Sequence, residues 1–127
     1  MGPIATVDAF LEGLADAEWR RVAEGEWGIT LEAAGWPLHI GLAWRDGVLR
    51  VQTEALAPDR IDDHELLYRN RGLTLVRYAH NGAGAVFVMG ELPPELVKPL
   101  WLDRLLGMLV DAAIVARHRS AAGSAAS

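Results

Sequence analysis

Cysteine is absent from the 127 residues, which excludes disulfides, thiol catalysis and thiolate-rich zinc sites. Lysine is nearly absent: Lys98 stands alone, and every other basic side chain is Arg. No apolar run reaches the roughly 20 residues that a membrane span requires, because Asp, Arg, Gly or Pro interrupts each one. Met1-Gly-Pro opens no basic segment followed by an apolar block, so no secretory signal is read there. Repeats, internal linkers and long charge blocks are missing as well. A soluble, cytoplasmic chain without a membrane segment is the expectation.

What is present is ordinary globular composition, with 51% hydrophobic and 23% charged residues. The length suits a single domain, expected over residues 1–119, followed by a flexible tail of linker composition over 120–127. Net charge is −5, from 12 basic against 17 acidic residues, which disfavours a non-specific nucleic-acid surface.

Thr6 reads as a helix N-cap with Asp8 and Glu12 in the dipole-favoured early turns. Val7, Phe10, Leu11, Leu14 and Val22 share one helical face, so the pattern predicts a first helix from Val7 to Glu24. Trp19 falls beside the centre of that stripe, either as a flanking core residue or as an exposed anchor for a partner. Period-two alternation then predicts strands at Trp27–Leu31, Trp36–Arg45 and Val48–Leu56, with Asp46-Gly47 as a hairpin turn. A short helix, His64–Arg71, is capped by Asp62 or Asp63 and stopped by a left-handed Gly72. Strands Leu73–His80 and Ala85–Leu92 follow. After Pro93, Pro94 and Pro99, a last helix begins near Lys98.

In that helix Trp101, Leu102, Leu105, Leu106, Met108, Leu109, Ala112 and Ala113 cover about half the circumference. Asp103, Gly107 and Asp111 mark its polar side. So wide an apolar arc needs the sheet, and either fits within it or also meets a second subunit.

No catalytic, cofactor-binding or metal-binding residue is assigned. His64-Glu65 lacks the second His of H-E-x-x-H, because position 68 is Tyr. Asp59, Asp62, Asp63 and Glu65 form an acidic patch better read as caps and a solvated helix start. Gly82-Ala-Gly84 lies between strands, whereas a dinucleotide fingerprint must open a helix. Arg69, Arg71 and Arg77 with Tyr68 and Tyr78 make a weak basic-aromatic cluster, the basis of an alternative reading as a nucleic-acid accessory protein. A further alternative is a small-ligand or enzymatic pocket between sheet and last helix, lined by Trp36, Trp44 and Trp101.

The run Leu66-Leu-Tyr-Arg-Asn-Arg-Gly-Leu-Thr-Leu-Val-Arg-Tyr-Ala79, the strand Val86-Phe-Val-Met89 and Glu91-Leu-Pro93 carry a resemblance. Together with the element order, they resemble the YbjN-like branch of the type III secretion chaperone group. The resemblance implies a bacterial α+β protein with an antiparallel five-stranded sheet, in the order α-β-β-β-α-β-β-α. It further implies a non-catalytic, chaperone-like homodimer that needs no cofactor and binds an extended or flexible segment of a partner protein. The dimer contact is then expected at Leu66, Leu67, Tyr68 and Tyr78. Trp19 and Trp44 are the candidate anchors for the partner.

Overall fold

The computed structural model describes residues 1–126, with side chains to residue 121. The elements are α1 (Pro3–Glu12), β1 (Glu18–Ala23), β2 (Glu26–Ala33), β3 (Trp36–Arg45), β4 (Val48–Leu56), α2 (Asp63–Asn70), β5 (Val76–His80), β6 (Val86–Leu92) and α3 (Pro99–Ala126). A single 3-10 turn at Pro94–Leu96 precedes α3. The expected α+β class holds, with six strands in place of five. The residues expected as a tail continue α3 through Ala126; Ser127 lies outside the described residues.

The strands form one antiparallel sheet in the order β1-β2-β3-β4-β6-β5. Trp19 pairs with Ile29, Ile29 with Ile40, Ile40 with Thr53, Thr53 with Val88 and Val88 with Tyr78. Side chains in one such row share a face, and this row faces the helices. Thr53 is buried in it, and its hydroxyl donates to the carbonyl of His39 at 2.7 Å, which satisfies the polar group. The opposite face carries Arg20, Gly28, Gly41, Gln52, Met89 and Arg77 in the neighbouring row and faces solvent in part.

Helix α3 lies on β4, β6 and β5 and buries Leu102, Leu105, Leu109, Ala112, Ala113 and Ala116. Fully burying a leucine contributes about 1.5–3 kcal/mol, so this face anchors the helix. Helix α1 adds Val7 and Leu11 to the same core.

The first expected helix is corrected. It begins at Pro3, where a missing N–H costs nothing, and ends at Glu12, with Gly2 rather than Thr6 as its N-cap. Residues 18–23, expected as helix, form edge strand β1 instead. Asp8 shows why. Its carboxylate accepts from the Arg21 guanidinium and, at 2.8 Å, from the Trp27 indole N–H. Those contacts tie α1 across β1 and β2, which one continuous helix could not satisfy.

Two more boundaries move for a backbone reason. Helix α2 ends without a left-handed Gly72; Arg71 caps it in right-handed conformation. The left-handed residue is Leu75, at φ 66, so β5 starts at Val76 and not at Leu73. The Leu75 carbonyl oxygen would lie 2.5 Å from a Cβ at position 90, and only Gly90 leaves room for it.

Candidate functional site

Helix α2 starts where Asp62 accepts a hydrogen bond from the backbone N–H of His64 at 3.1 Å, the capping read from sequence. At its other end Asn70 reaches β5. Its Nδ2 donates to the Tyr78 carbonyl at 3.0 Å, and its Oδ1 accepts from the Tyr78 N–H at 2.7 Å. Tyr78 is buried and donates its hydroxyl to the Ala112 carbonyl of α3 at 2.5 Å. Burial raises the pKa of that phenol, which keeps it in the protonated, donating form. Glu65 accepts from both Arg69 and Arg119, and its pKa is lowered, chiefly by the Arg119 hydrogen bond. Helix α2 is thus bolted to β5 on one side and to α3 on the other.

This arrangement divides the four residues expected at a dimer contact. Leu66 and Tyr78 are each 5% exposed and belong to the chain's own core, because they fill the space under α2. Leu67 and Tyr68 point outward at 69% and 71% exposure. Beside them lies an open groove of about 680 Å³ between α2 and α3, whose lining includes Tyr68, Leu73, Met108 and Val115. Met108 and Val115 are exposed as well, so part of the apolar arc of α3 stays uncovered.

The two candidate partner anchors are not brought together. Trp19 lies on edge strand β1, half-buried on the helix-covered face. Trp44 sits two strands away near the end of β3, where its backbone N–H donates to Gly25 at 2.8 Å. Sequence reasoning missed β1 as a strand and therefore missed its edge. The one local signal was Gly25, whose φ of 75 serves the turn between β1 and β2; Glu24 before it does not take the positive φ that Asp46 does.

The sheet edges differ. At β5 the outward-facing peptide groups of Tyr78 are taken by Asn70, a side-chain substitute for a neighbouring strand. At β1 the sheet ends without a further strand, which leaves a template for strand addition.

Other expected constellations disperse. Trp36 is 54% exposed and stacks on Arg117 at 5.6 Å, while Trp101 lies under Arg104 at 5.2 Å, so Trp36, Trp44 and Trp101 line no common pocket. In the basic-aromatic cluster Arg77 makes a bidentate pair with Glu91, both bonds at 2.8 Å, Arg69 is held by Glu65, and Tyr78 is buried. In the acidic patch Asp62 caps α2, Asp63 lies 4.0 Å from His80, and Glu65 serves two arginines. Among the described residues no helix is long and apolar enough to cross a membrane.

No family model matches the chain, and no curated protein matches it in sequence. Solved structures do match in fold. The chain is similar to the Yersinia pestis type III secretion chaperone SycH, solved in complex with a stable fragment of YscM2, with a TM-score of 0.62 at 16% identity. That match covers 89% of this chain and 98% of the other. It is also similar to a chain of the HopA1–SchA chaperone–effector complex, with a TM-score of 0.69, 15% identity, and 90% and 91% of the two chains covered. The fold is therefore the secretion-chaperone-like α+β fold expected from sequence.

Proposed function

We propose that the protein is a non-catalytic interaction module, a chaperone-like homodimer that binds an extended or flexible segment of a partner protein. The observation that carries this reading is the asymmetry of the sheet: β5 is closed by Asn70, and β1 is open beside the half-buried Trp19. An extended segment adds to such an edge through main-chain hydrogen bonds, with alternate side chains supplying specificity. Two solved neighbours of the same fold come from complexes with protein partners, which supports a protein ligand here. The exposed pair Leu67 and Tyr68, with the apolar groove next to them, is the surface we assign to the dimer. Leu66 and Tyr78 hold that surface from beneath. A bacterial, cytoplasmic setting and the YbjN-like branch are the finer affiliations that go with this reading.

Two measurements test it. Sedimentation should give a dimer mass that falls to the monomer in Leu67→Asp/Tyr68→Asp, with the circular dichroism spectrum unchanged; a monomer throughout overturns the dimer. A photo-crosslinking side chain at Val22, exposed on β1, should capture one partner segment in native cells. Capture should be lost when Trp19→Pro removes a backbone donor that faces away from β2, and should persist in part in Trp19→Ala, which keeps that donor. Equal capture with and without the proline sinks strand addition.

A further inference from the structure

The outward face of α3 presents Asp103, Gly107 and Asp111 at successive helical turns, all exposed. Gly107 is out of place by local criteria. Glycine is the poorest helix former after proline, and a Cβ at Gly107 would meet nothing within 4 Å. No neighbour among the described residues requires its smallness. Small residues on a helix surface let another backbone approach closely.

Apolar ground lies on both sides of this notch. Toward α1 a groove of about 450 Å³ is lined in part by Leu106 and Val110, with Asp16 also on its wall. Toward β5 a groove of about 620 Å³ is lined in part by Trp101, Met108 and Leu75. Asp103 and Asp111 border both grooves, and neither aspartate is in an ion pair among the described residues. The nearby Arg104 is turned onto the Trp101 ring at 5.2 Å. The notch is therefore an apolar seat with an acidic rim.

We infer that this face of α3 docks an amphipathic helix of a partner protein, which crosses closest at Gly107 and sets Arg or Lys side chains against Asp103 and Asp111. The two carboxylates are eight residues apart, about 12 Å along the helix, a separation that two basic residues about two turns apart on a partner helix span. The charge pattern selects against a second copy. A two-fold crossing at Gly107 sets aspartates of one chain against aspartates of the other, which is repulsive. The site is separate from the β1 edge and from Leu67 and Tyr68, but it shares Met108 and Asp111 with the groove assigned to the dimer. The peptide titrations are therefore run on Leu67→Asp/Tyr68→Asp as well as on the wild type, and peptide binding to that variant distinguishes this inference from the dimer reading.

The probe is a synthetic amphipathic Leu/Ala helix of about 18 residues with two arginines spaced to meet Asp103 and Asp111, and its twin with glutamates in their place. Fluorescence anisotropy should show the arginine peptide binding and the glutamate peptide not. Asp103→Lys/Asp111→Lys should weaken the arginine peptide by about tenfold or more and restore the glutamate peptide. Gly107→Leu should raise the melting temperature, since leucine is a better helix former, and still weaken binding; that combination separates a lost seat from a lost fold. Amide chemical-shift changes should centre on residues 103–111. Equal binding of both peptides, no binding of either, no effect of Gly107→Leu, or shifts confined to β1 would each overturn the inference.

Discussion

Asn70 pairs with Tyr78 as a strand would, one side-chain amide answering both main-chain polar groups of a single residue, at 3.0 and 2.7 Å. The pairing holds the end of α2 against β5 and takes the outward polar groups at the middle of that edge strand. Each net hydrogen bond contributes about 0.5–1.5 kcal/mol. Asn70→Ala should therefore lower the unfolding free energy by about 1–3 kcal/mol in urea titrations. It should also make the protein associate with rising concentration, because the β5 edge is then unprotected. An unchanged urea midpoint refutes this role.

Gly90→Ala places a methyl group 2.5 Å from the Leu75 carbonyl oxygen and 2.7 Å from Leu105 Cδ1. Neither neighbour is free to move, since Leu75 is held in a left-handed turn and Leu105 is in the core. A loss of about 1–3 kcal/mol or more is expected, with the largest chemical-shift changes at Leu75, Val76 and Leu105. Gly41→Ala is the control: its Cβ meets nothing, and its effect should be much smaller.

The acid limb of stability should depend on Glu91. Hydrogen bonds from Arg77 lower its pKa from the ordinary carboxylate value, against the opposing effect of burial. A carboxylate depressed in the folded state stabilises above its unfolded pKa and loses that contribution as pH falls through the folded pKa. Wild type should thus exceed Glu91→Gln by up to about 1 kcal/mol at pH 7, a gap that closes as pH drops below about 4. Asp8, lowered mainly by Arg21, and Glu65, lowered mainly by Arg119, act in the same direction. A gap that is constant with pH would show that Glu91 acts by packing alone.

Arg117 ties the β2–β3 hairpin to α3. Its Nε donates to the Ala55 carbonyl at 3.2 Å, Nη2 donates to the Pro37 carbonyl at 3.3 Å, and its plane lies on Trp36. Burial alone pushes its pKa down. Arg117→Ala should cost about 1–3 kcal/mol and speed amide exchange at Trp36–Leu38 more than elsewhere in the sheet. Uniform exchange changes would mean that the contact is incidental.

The sheet from Glu26 to Leu56 was legible because alternation and the Asp46-Gly47 turn are local signals. Asp46 and Gly47 both take positive φ, 54 and 73, as that turn requires. Strand β1 was not legible. Residues 16–24 contain good helix formers, and Val22 fits a helical stripe by coincidence, yet it is 58% exposed. Pairing with β2 and the Asp8 contacts decide the conformation there, and both are non-local. The candidate surface was half legible. Leu67 and Tyr68 face out, but nothing in the one-dimensional pattern says that Leu66 and Tyr78 face in, or that Asn70 spends its amide on a strand.

The two unlike ends of the sheet set a limit on how copies of this chain can join. A sheet that can be extended at both edges adds copies without end and grows into a filament. Here the middle residue of β5 is already taken by Asn70 while β1 carries no such cap, and two copies joined through β1 would leave no uncapped edge between them. Edge-to-edge growth of that kind would stop at a pair, and a partner segment of the proposed kind would compete for the same place. A single side-chain amide thus makes the two ends of the sheet unlike.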